Sequence, residues 1–147
     1  MKRSQRLTPI IDIAAKETEA ALTKVGQANS TWQQEKQQLD DLHGYKGEYL
    51  AKFRQGDTLV MSAQKILELR RFLSQLDHAI NAQQEQVSLR SNQLELQRMN
   101  WQQVRTKQEA MQSLIDRYQT EEQKLESKKE QNESDELNTS KWHRRQR

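Results

Sequence analysis

The sequence has 147 residues with no cysteine and one proline, and its 24 lysines and arginines against 21 aspartates and glutamates give a net charge of +3. Only 33% of the residues are hydrophobic and 31% are charged, which is too few apolar residues for an ordinary globular core but suits the single apolar seam of a long helical hairpin. Without cysteine there is no disulfide framework or thiolate metal site, and no apolar run approaches the roughly 20 residues that span a bilayer. The basic start is not followed by a secretory apolar segment, so we expect a soluble cytoplasmic protein.

The first predicted helix covers about residues 7–54. We expect residues 1–6 to be frayed, with Thr8 and Pro9 as the cap and first-turn proline. Apolar residues then recur at steps of three and four, as in a heptad seam. The members of this seam are Ile11, Ala14, Thr18, Ala21, Val25, Ala28, Trp32, Glu35, Leu39, Leu42, Lys46, Tyr49 and Phe53.

A turn is predicted at about residues 55–60, since Gly56 suits the position after a helix and Asp57, Thr58 or Ser62 can cap the next one. The second helix is predicted over about residues 61–130. Its seam consists of Ile66, Leu69, Leu73, Leu76, Ile80, Gln83, Val87, Arg90, Leu94, Gln97, Trp101, Val104, Gln108, Met111, Ile115, Tyr118, Glu122 and Leu125.

The second seam becomes polar from Gln83 onward, so we expect the half that is far from the turn to be looser. The fold class predicted from both seams is all-α, a long two-helix antiparallel coiled-coil hairpin forming one domain over residues 1–130. Residues 131–147 are expected to form a disordered basic tail.

A pivot near Asp57 would place Leu42 opposite Leu73, Trp32 opposite Gln83 and Ile11 opposite Val104. Beyond about residue 108 the second helix would then lack an intrachain partner. Its apolar residues would form an exposed stripe, which usually indicates a binding partner. The stripe consists of Met111, Leu114, Ile115, Tyr118 and Leu125.

Two short lines of residues flank the predicted turn, each with steps of four, three and four. They could form an outward aromatic patch just below the turn, or they could simply widen the seam. The lines consist of Gln38, Leu42, Tyr45 and Tyr49 before the turn, and Phe72, Leu76, Ala79 and Gln83 after it. Gly44 and Gly47 lie within the first line, and their presence fits either a bend or the close approach of a partner backbone.

Catalysis has little support in the sequence. His43, His78 and His143 lie on different elements without metal-ligand spacing, and no glycine-rich phosphate loop is present. An extended hairpin also offers no cavity in which to desolvate a carboxylate. We therefore expect no enzymatic activity, no cofactor, no metal and no small-molecule ligand.

The basic residues are concentrated at the two termini. Without the seven terminal lysines and arginines, 17 basic residues remain against 21 acidic ones, so the body carries about −4. A nucleic-acid-binding protein usually has a basic face along its length, so we expect no nucleic acid partner. Trp142 lies within a basic C-terminal segment, which indicates either a solubilising tail or an anionic partner. We expect the termini to meet at the open end of the hairpin.

The hairpin and its flanking lines resemble the flagellar FliJ family, small cytoplasmic coiled-coil components of the flagellar type III export apparatus. The residues that carry the resemblance are Gln38, Leu42, Tyr45, Glu48 and Tyr49 before the turn, and Phe72, Leu76, Ala79 and Ile80 after it. The resemblance implies a protein similar to the central stalk of rotary ATPases. Such a protein inserts its open end into the hexameric export ATPase ring, promotes assembly and activity of the ring, and escorts export chaperones.

The resemblance also implies that the exposed patch binds the cytoplasmic domain of the transmembrane export gate, at the membrane of the flagellar base. The implied gate-binding residues are Gln38, Leu42, Tyr45, Tyr49, Phe72, Leu76, Ala79 and Gln83, the last standing where the family can have histidine. The ATPase ring is assigned to the terminal stripe by architecture alone. A generic coiled-coil secretion chaperone, a scaffold and a virulence-type secretion stalk are alternatives, and the isolated chain is expected to be a monomer or a homodimer.

Overall fold

A computed structural model describes residues 1–55 and 62–145 of the chain. These residues form two α-helices, α1 over Arg3–Gln55 and α2 over Ala63–Arg145, of 53 and 83 residues. The two helices pack against each other as a helical hairpin, and no strand occurs in the described ranges. This confirms the predicted all-α class. The predicted turn residues Gly56, Asp57 and Thr58 lie outside the described residues.

Both helices extend beyond their predicted outer ends. The segment 131–145, predicted to be disordered, is helical, and the six N-terminal residues predicted to be frayed are helical from Arg3 onward. The C-terminal extension follows from composition, because no proline or glycine occurs after Gly56 and good helix formers continue to the end.

The predicted role of Thr8 and Pro9 as a helix start is wrong. Helix α1 begins one and a half turns earlier, so Pro9 lies inside it and supplies no N–H to the carbonyl of Gln5. The Thr8 hydroxyl instead donates a hydrogen bond to the Ser4 carbonyl oxygen at 3.1 Å. The first backbone bond of the helix runs from Arg6 N to Lys2 O at 3.2 Å.

Helix α2 begins with a side-chain cap from Ser62, one of the three residues predicted for this role. The amide of Lys65 donates to Ser62 Oγ at 3.3 Å, and the amide of Ile66 donates to the Ser62 carbonyl at 3.2 Å. A serine at this position satisfies one of the free N–H groups of a first helical turn.

The chain divides into two compact units, each containing one segment of α1 and one of α2. The terminal unit combines Met1–Ala20 with Gln102–Arg147, and the central unit spans Ala21–Trp101. In the central unit, every predicted seam residue is buried or half-buried except Tyr49. In the terminal unit the same holds for every seam residue except Leu125. The heptad reading therefore identified the packed faces.

The predicted pairing register is wrong in both units. Glu35 meets Gln83 and Lys46 meets Asp77 in the central unit, while Thr18 meets the Val104 carbonyl in the terminal unit. Each of these three α2 residues lies about one to two helical turns closer to the C-terminus than the predicted register would place it. A heptad seam keeps its apolar face toward the partner when the register slides by about a turn, so the seam alone does not define the register.

The terminal stripe is not the unpartnered overhang that the predicted register required. Ile115 is only 4% exposed, and Met111, Leu114 and Tyr118 are half-buried. These four side chains belong to the packed part of the terminal unit. Of the five predicted stripe residues, Leu125 alone remains exposed, at 69%.

The terminal unit contains side chains as well buried as those of the central unit, since Ala14 and Ile115 are 5% and 4% exposed and Ile80 is 5% exposed. That the half far from the turn is looser stays a prediction. The expectation that the basic termini meet is wrong. Lys2 lies 3.6 Å from the Glu126 carboxylate, and α2 continues well beyond that point to Lys141.

Candidate functional site

The two lines of residues that flank the predicted turn lie next to each other in the central unit. The rings of Tyr49 and Phe72 are 4.3 Å apart between centroids with an interplanar angle of 33°. Because the helices run antiparallel, equal steps back along α1 and forward along α2 from this contact match Tyr45 with Leu76. Further equal steps match Leu42 with Ala79, and Gln38 with Gln83.

Six of the eight predicted residues form an accessible surface, which we call the aromatic patch. Tyr45 is 55% exposed, Tyr49 39% and Phe72 37%, so three rings face solvent within one short stretch of the hairpin. Contiguous exposed apolar groups of this kind are characteristic of protein-binding surfaces. The aromatic patch consists of Gln38, Leu42, Tyr45, Tyr49, Phe72 and Ala79.

Leu76 and Gln83 are each 8% exposed and belong to the packed seam, in agreement with the alternative that these positions widen the seam. Gln83 Nε2 donates to the carbonyl oxygen of Glu35 at 2.9 Å and to its carboxylate at 2.5 Å. An exposed role for Gln83 is therefore wrong, because its amide is already used inside the hairpin.

Charged groups border the aromatic patch. Lys46 Nζ lies 2.6 Å from an Asp77 carboxylate oxygen, a partly exposed ion pair between the two helices. Lys52 Nζ lies 6.0 Å from the centroid of the Tyr49 ring, within cation–π range. The exposed rings are thus bordered by one ion pair and by the Lys52 ammonium group.

Gly44 and Gly47 both lie within α1 without positive φ. A Cβ built on either residue meets nothing within 4 Å. Packing inside the chain therefore requires neither glycine. A bend in the helix and the close approach of a partner backbone both remain explanations for these two residues.

In the terminal unit, three residue pairs tie the N-terminal end of the chain to α2. The Ser4 hydroxyl donates to Glu122 Oε2 at 2.7 Å, and the Ser4 amide donates to Glu122 Oε1 at 3.2 Å. The guanidinium of Arg3 lies 5.7 Å from the Tyr118 ring centroid, and Lys2 forms its ion pair with Glu126. We call these three residue pairs the terminal clasp.

The clasp was missed because residues 1–6 were expected to be frayed. A signal existed in the sequence, since Glu122 occupies a seam position at which an apolar residue is expected. The free N–H groups of a first helical turn attract carboxylates, and here the carboxylate comes from the opposite helix. The hydrogen bond from the Ser4 hydroxyl is the main cause that lowers the pKa of Glu122 from its ordinary value of 4.5, with smaller contributions from the Ser4 amide and Lys2 and an opposing effect of desolvation.

Within residues 1–55 and 62–145, no group of three histidine, aspartate or glutamate side chains is placed to hold a metal ion. His43 and His78 are exposed, and the His143 ring contacts the Trp142 ring edge-on at 5.2 Å between centroids. In the same ranges, neither helix has a stretch apolar enough to cross a membrane.

The two packed helices define a helical-hairpin, coiled-coil class of protein, with three exposed rings near the described ends of α1 and α2. A family model described as flagellar FliJ protein matches residues 2–147, essentially the whole chain, and the chain belongs to this family. It is therefore a non-catalytic component of the flagellar protein export apparatus. A comparison with curated proteins gave no match.

Proposed function

We propose that this protein couples the export ATPase ring to the transmembrane export gate by binding the gate with its aromatic patch. The observation that carries the proposal is the exposure of Tyr45, Tyr49 and Phe72 on one side of the central unit. Exposed rings favour association because they remove apolar area from water on binding, and aromatic residues are frequent among those that dominate binding energy.

Tyr45 and Phe72 are the best probes of this proposal. Tyr45 lies outside the seam, and Phe72 contacts a ring that is itself partly exposed. Leu76 is a poor probe, because its burial means that a substitution would change folding together with binding.

The test is complementation of a flagellar host that lacks this protein, with Tyr45→Ala and Phe72→Ala combined. We expect folded protein at normal levels with a severe loss of export and swimming. Leu67→Ala is the matched control, because Leu67 is 60% exposed in the same unit but lies outside the patch. Normal export and swimming in the double variant would contradict the proposal.

The terminal unit is proposed to contact the export ATPase ring. Met111, Leu114, Ile115 and Tyr118 hold the hairpin together, so their proposed contribution is to keep the unit folded. The contact itself is assigned to Leu125 and the segment 127–145, which are exposed in the structure. A chain ending at Glu126 that also carries Leu125→Ala lacks both contact elements, retains the terminal clasp and separates these two roles.

The measurement is ATP hydrolysis by the purified export ATPase, with the full chain and with the Leu125→Ala chain ending at Glu126. We expect the shortened chain to fold but to stimulate hydrolysis less. Equal stimulation would contradict the ring assignment while leaving the gate assignment untouched.

Export chaperones are proposed as further partners, without a residue assignment. The proposed location is the cytoplasmic side of the membrane at the flagellar base, where the gate and the ATPase ring would both be within reach. Light scattering of the chain, alone and with the export ATPase, would decide between a monomer and a homodimer and would detect the complex.

A further inference from the structure

One flank of the central unit carries uncharged side chains over several turns of both helices. Gln27 and Thr31 of α1 line a shallow groove there, together with Gln93 and Leu96 of α2 and the half-buried Ala28. The same side of each helix continues along the chain at steps of three and four. We call this surface the amide face. It consists of Gln27, Thr31 and Gln34 on α1 and of Gln86, Leu89, Gln93, Leu96 and Asn100 on α2.

The amide face combines exposed leucines with an absence of charge. Leu89 and Leu96 are 46% and 64% exposed, and a separation of seven residues places them on the same side of α2. Lys24 also lines the groove, and it is the only charged residue at the steps of three and four that follow this flank over residues 24–38 and 72–100. Charged residues are depleted at the centres of protein interfaces, because burial removes their hydration. The amide face therefore suits an uncharged partner surface.

The residue types along α2 read the same in both directions from Gln93. Leucine comes first on either side, as Leu89 and Leu96, and an amide follows seven residues away, as Gln86 and Asn100. A twofold axis at Gln93 would set two copies of α2 antiparallel. Leu89 of each copy would then contact Leu96 of the other, and Gln86 of each would meet Asn100 of the other. A closed dimer requires a surface that matches itself in this way under a twofold rotation.

Gln93 is already oriented for such a contact. Nη1 of the half-buried Arg90 donates to Gln93 Oε1 at 3.0 Å, and a guanidinium group can only donate, so the amide oxygen must face Arg90. Within residues 1–55 and 62–145, Gln93 Nε2 donates to no acceptor. At the twofold axis each Nε2 would donate to the second lone pair of Oε1 in the other copy. The two exposed amides would thus satisfy each other.

The amide face is small for a permanent interface. From Gln86 to Asn100 it spans about 20 Å at 1.5 Å per residue, and two helices side by side are roughly 20 Å wide. A contact of these dimensions buries close to the roughly 1,000 Å² in total that marks the lower limit of specific interfaces. We therefore expect a weak, reversible association, with a dissociation constant in the micromolar range or above.

We infer that the amide face binds a second copy of this chain, with the two α2 helices antiparallel about Gln93. The inference goes beyond the proposed function and does not depend on it, because the amide face shares no residue with the aromatic patch. A second copy presents a surface that is equally uncharged and of equal length. A helix with charges along its contact side would leave most of them without an opposite charge, since Lys24 alone lies at the edge.

The first experiment measures sedimentation velocity of the purified full chain from low micromolar to submillimolar concentration, where we expect a reversible monomer–dimer equilibrium. Leu89→Glu combined with Leu96→Glu sets carboxylates against carboxylates across the axis, so we expect at least about tenfold weaker association. Leu22→Glu combined with Leu67→Glu is the matched control. Both of these leucines are exposed in the same unit, at 50% and 60%, but lie outside the amide face. Circular dichroism would confirm that each variant stays helical.

Leu89→Glu combined with Leu96→Lys tests the direction of the pairing. In the antiparallel arrangement each introduced carboxylate meets an introduced ammonium group, so we expect this variant to associate at least about tenfold more strongly than the double-glutamate variant. Three results would overturn the inference: a chain that stays monomeric at every concentration, equal association of the double-glutamate variant and its control, and a charge-swapped variant that associates no better than the double-glutamate variant.

A second experiment uses the absence of cysteine from the chain. Gln93→Cys places two thiols at the axis, whereas Gln86→Cys places them about 20 Å apart along the helices, beyond the roughly 7 Å between Cα atoms that a disulfide allows. Diamide takes up the two thiol hydrogens as the disulfide forms. It should link the Gln93→Cys chain into a dimer and leave the Gln86→Cys chain largely unlinked. No linkage of the Gln93→Cys chain, or equal linkage of the two variants, would overturn the inference.

Discussion

Ser4 and Glu122 form a doubly hydrogen-bonded pair across the terminal unit, in which the hydroxyl and the amide of Ser4 both donate to the same carboxylate, at 2.7 and 3.2 Å. Ser4 is 5% exposed despite its place next to the N-terminus. A carboxylate from α2 thus satisfies a first-turn N–H of α1, a function usually served by the residue that precedes the helix.

Replacing Ser4 with alanine should fray the start of α1. The substitution removes the shorter hydrogen bond to Glu122 and leaves a weaker amide contact. We expect several-fold faster amide hydrogen exchange over residues 4–8, with little change in the central unit, because local opening exposes only the affected turn. Thr139→Ala is the control, since Thr139 bonds only within the exposed end of α2. Unchanged exchange at residues 4–8 would mean that the clasp does not hold the helix end.

The clasp should also depend on pH in a defined direction. The pKa of Glu122 is lowered in the folded chain by the Ser4 hydrogen bond, so its contribution is fully present above the unfolded value of 4.5 and is lost as pH falls through the folded pKa. We expect exchange at residues 4–8 to accelerate, relative to the intrinsic rate, as the solution is acidified below the unfolded value of 4.5 and through the lower folded pKa. Glu122→Gln should abolish this dependence. A Glu122 carboxyl that titrates at or above 4.5 in a carbon-detected NMR titration would contradict the assignment.

Gln83 is predicted to act on stability rather than on partner binding. Gln83→Ala removes the donor to the Glu35 carbonyl and carboxylate, and the loss of one partner of a buried hydrogen bond costs about 1–3 kcal/mol. Urea unfolding would measure this loss, with the exposed Gln84→Ala as control. Replacing both Glu35 and Gln83 with leucine should restore much of the stability, because an apolar pair suits the seam. Unchanged stability together with lost export would instead assign Gln83 to a binding surface.

Alanine at Gly44 and Gly47 should stabilise the protein. Both positions have open space around the added Cβ, and glycine within a helix costs about 0.5–1 kcal/mol relative to alanine. We expect a higher melting temperature with normal export and swimming. A variant that is more stable but fails in export would show that a partner backbone approaches these glycines.

The seam could be predicted from the sequence because heptad periodicity records which residues are packed, and nearly all predicted members are buried or half-buried. The register could not, because similar apolar side chains can face one another at several offsets. The specific polar pairs distinguish these offsets, as Gln83 does with Glu35 and Ser4 with Glu122, and such pairs are not evident from either helix alone.

Seam position and register also account for the outcome at the two candidate sites. Tyr45 and Phe72 were identified correctly as exposed because they fall outside the seam pattern. The terminal stripe depended on the register, so the error in pairing made Ile115 and its neighbours appear unpartnered when they are packed.

The most direct test of the central claim is isothermal titration of the cytoplasmic region of the export gate with the full chain and with Tyr45→Ala combined with Phe72→Ala. Removing two exposed rings at an interface is expected to weaken binding by at least about tenfold, since each ring of this kind typically contributes about 1–2 kcal/mol. Circular dichroism would confirm that the variant stays helical, and Leu67→Ala should bind like the unmodified chain. An affinity for the gate that is unchanged in the folded double variant would contradict the account.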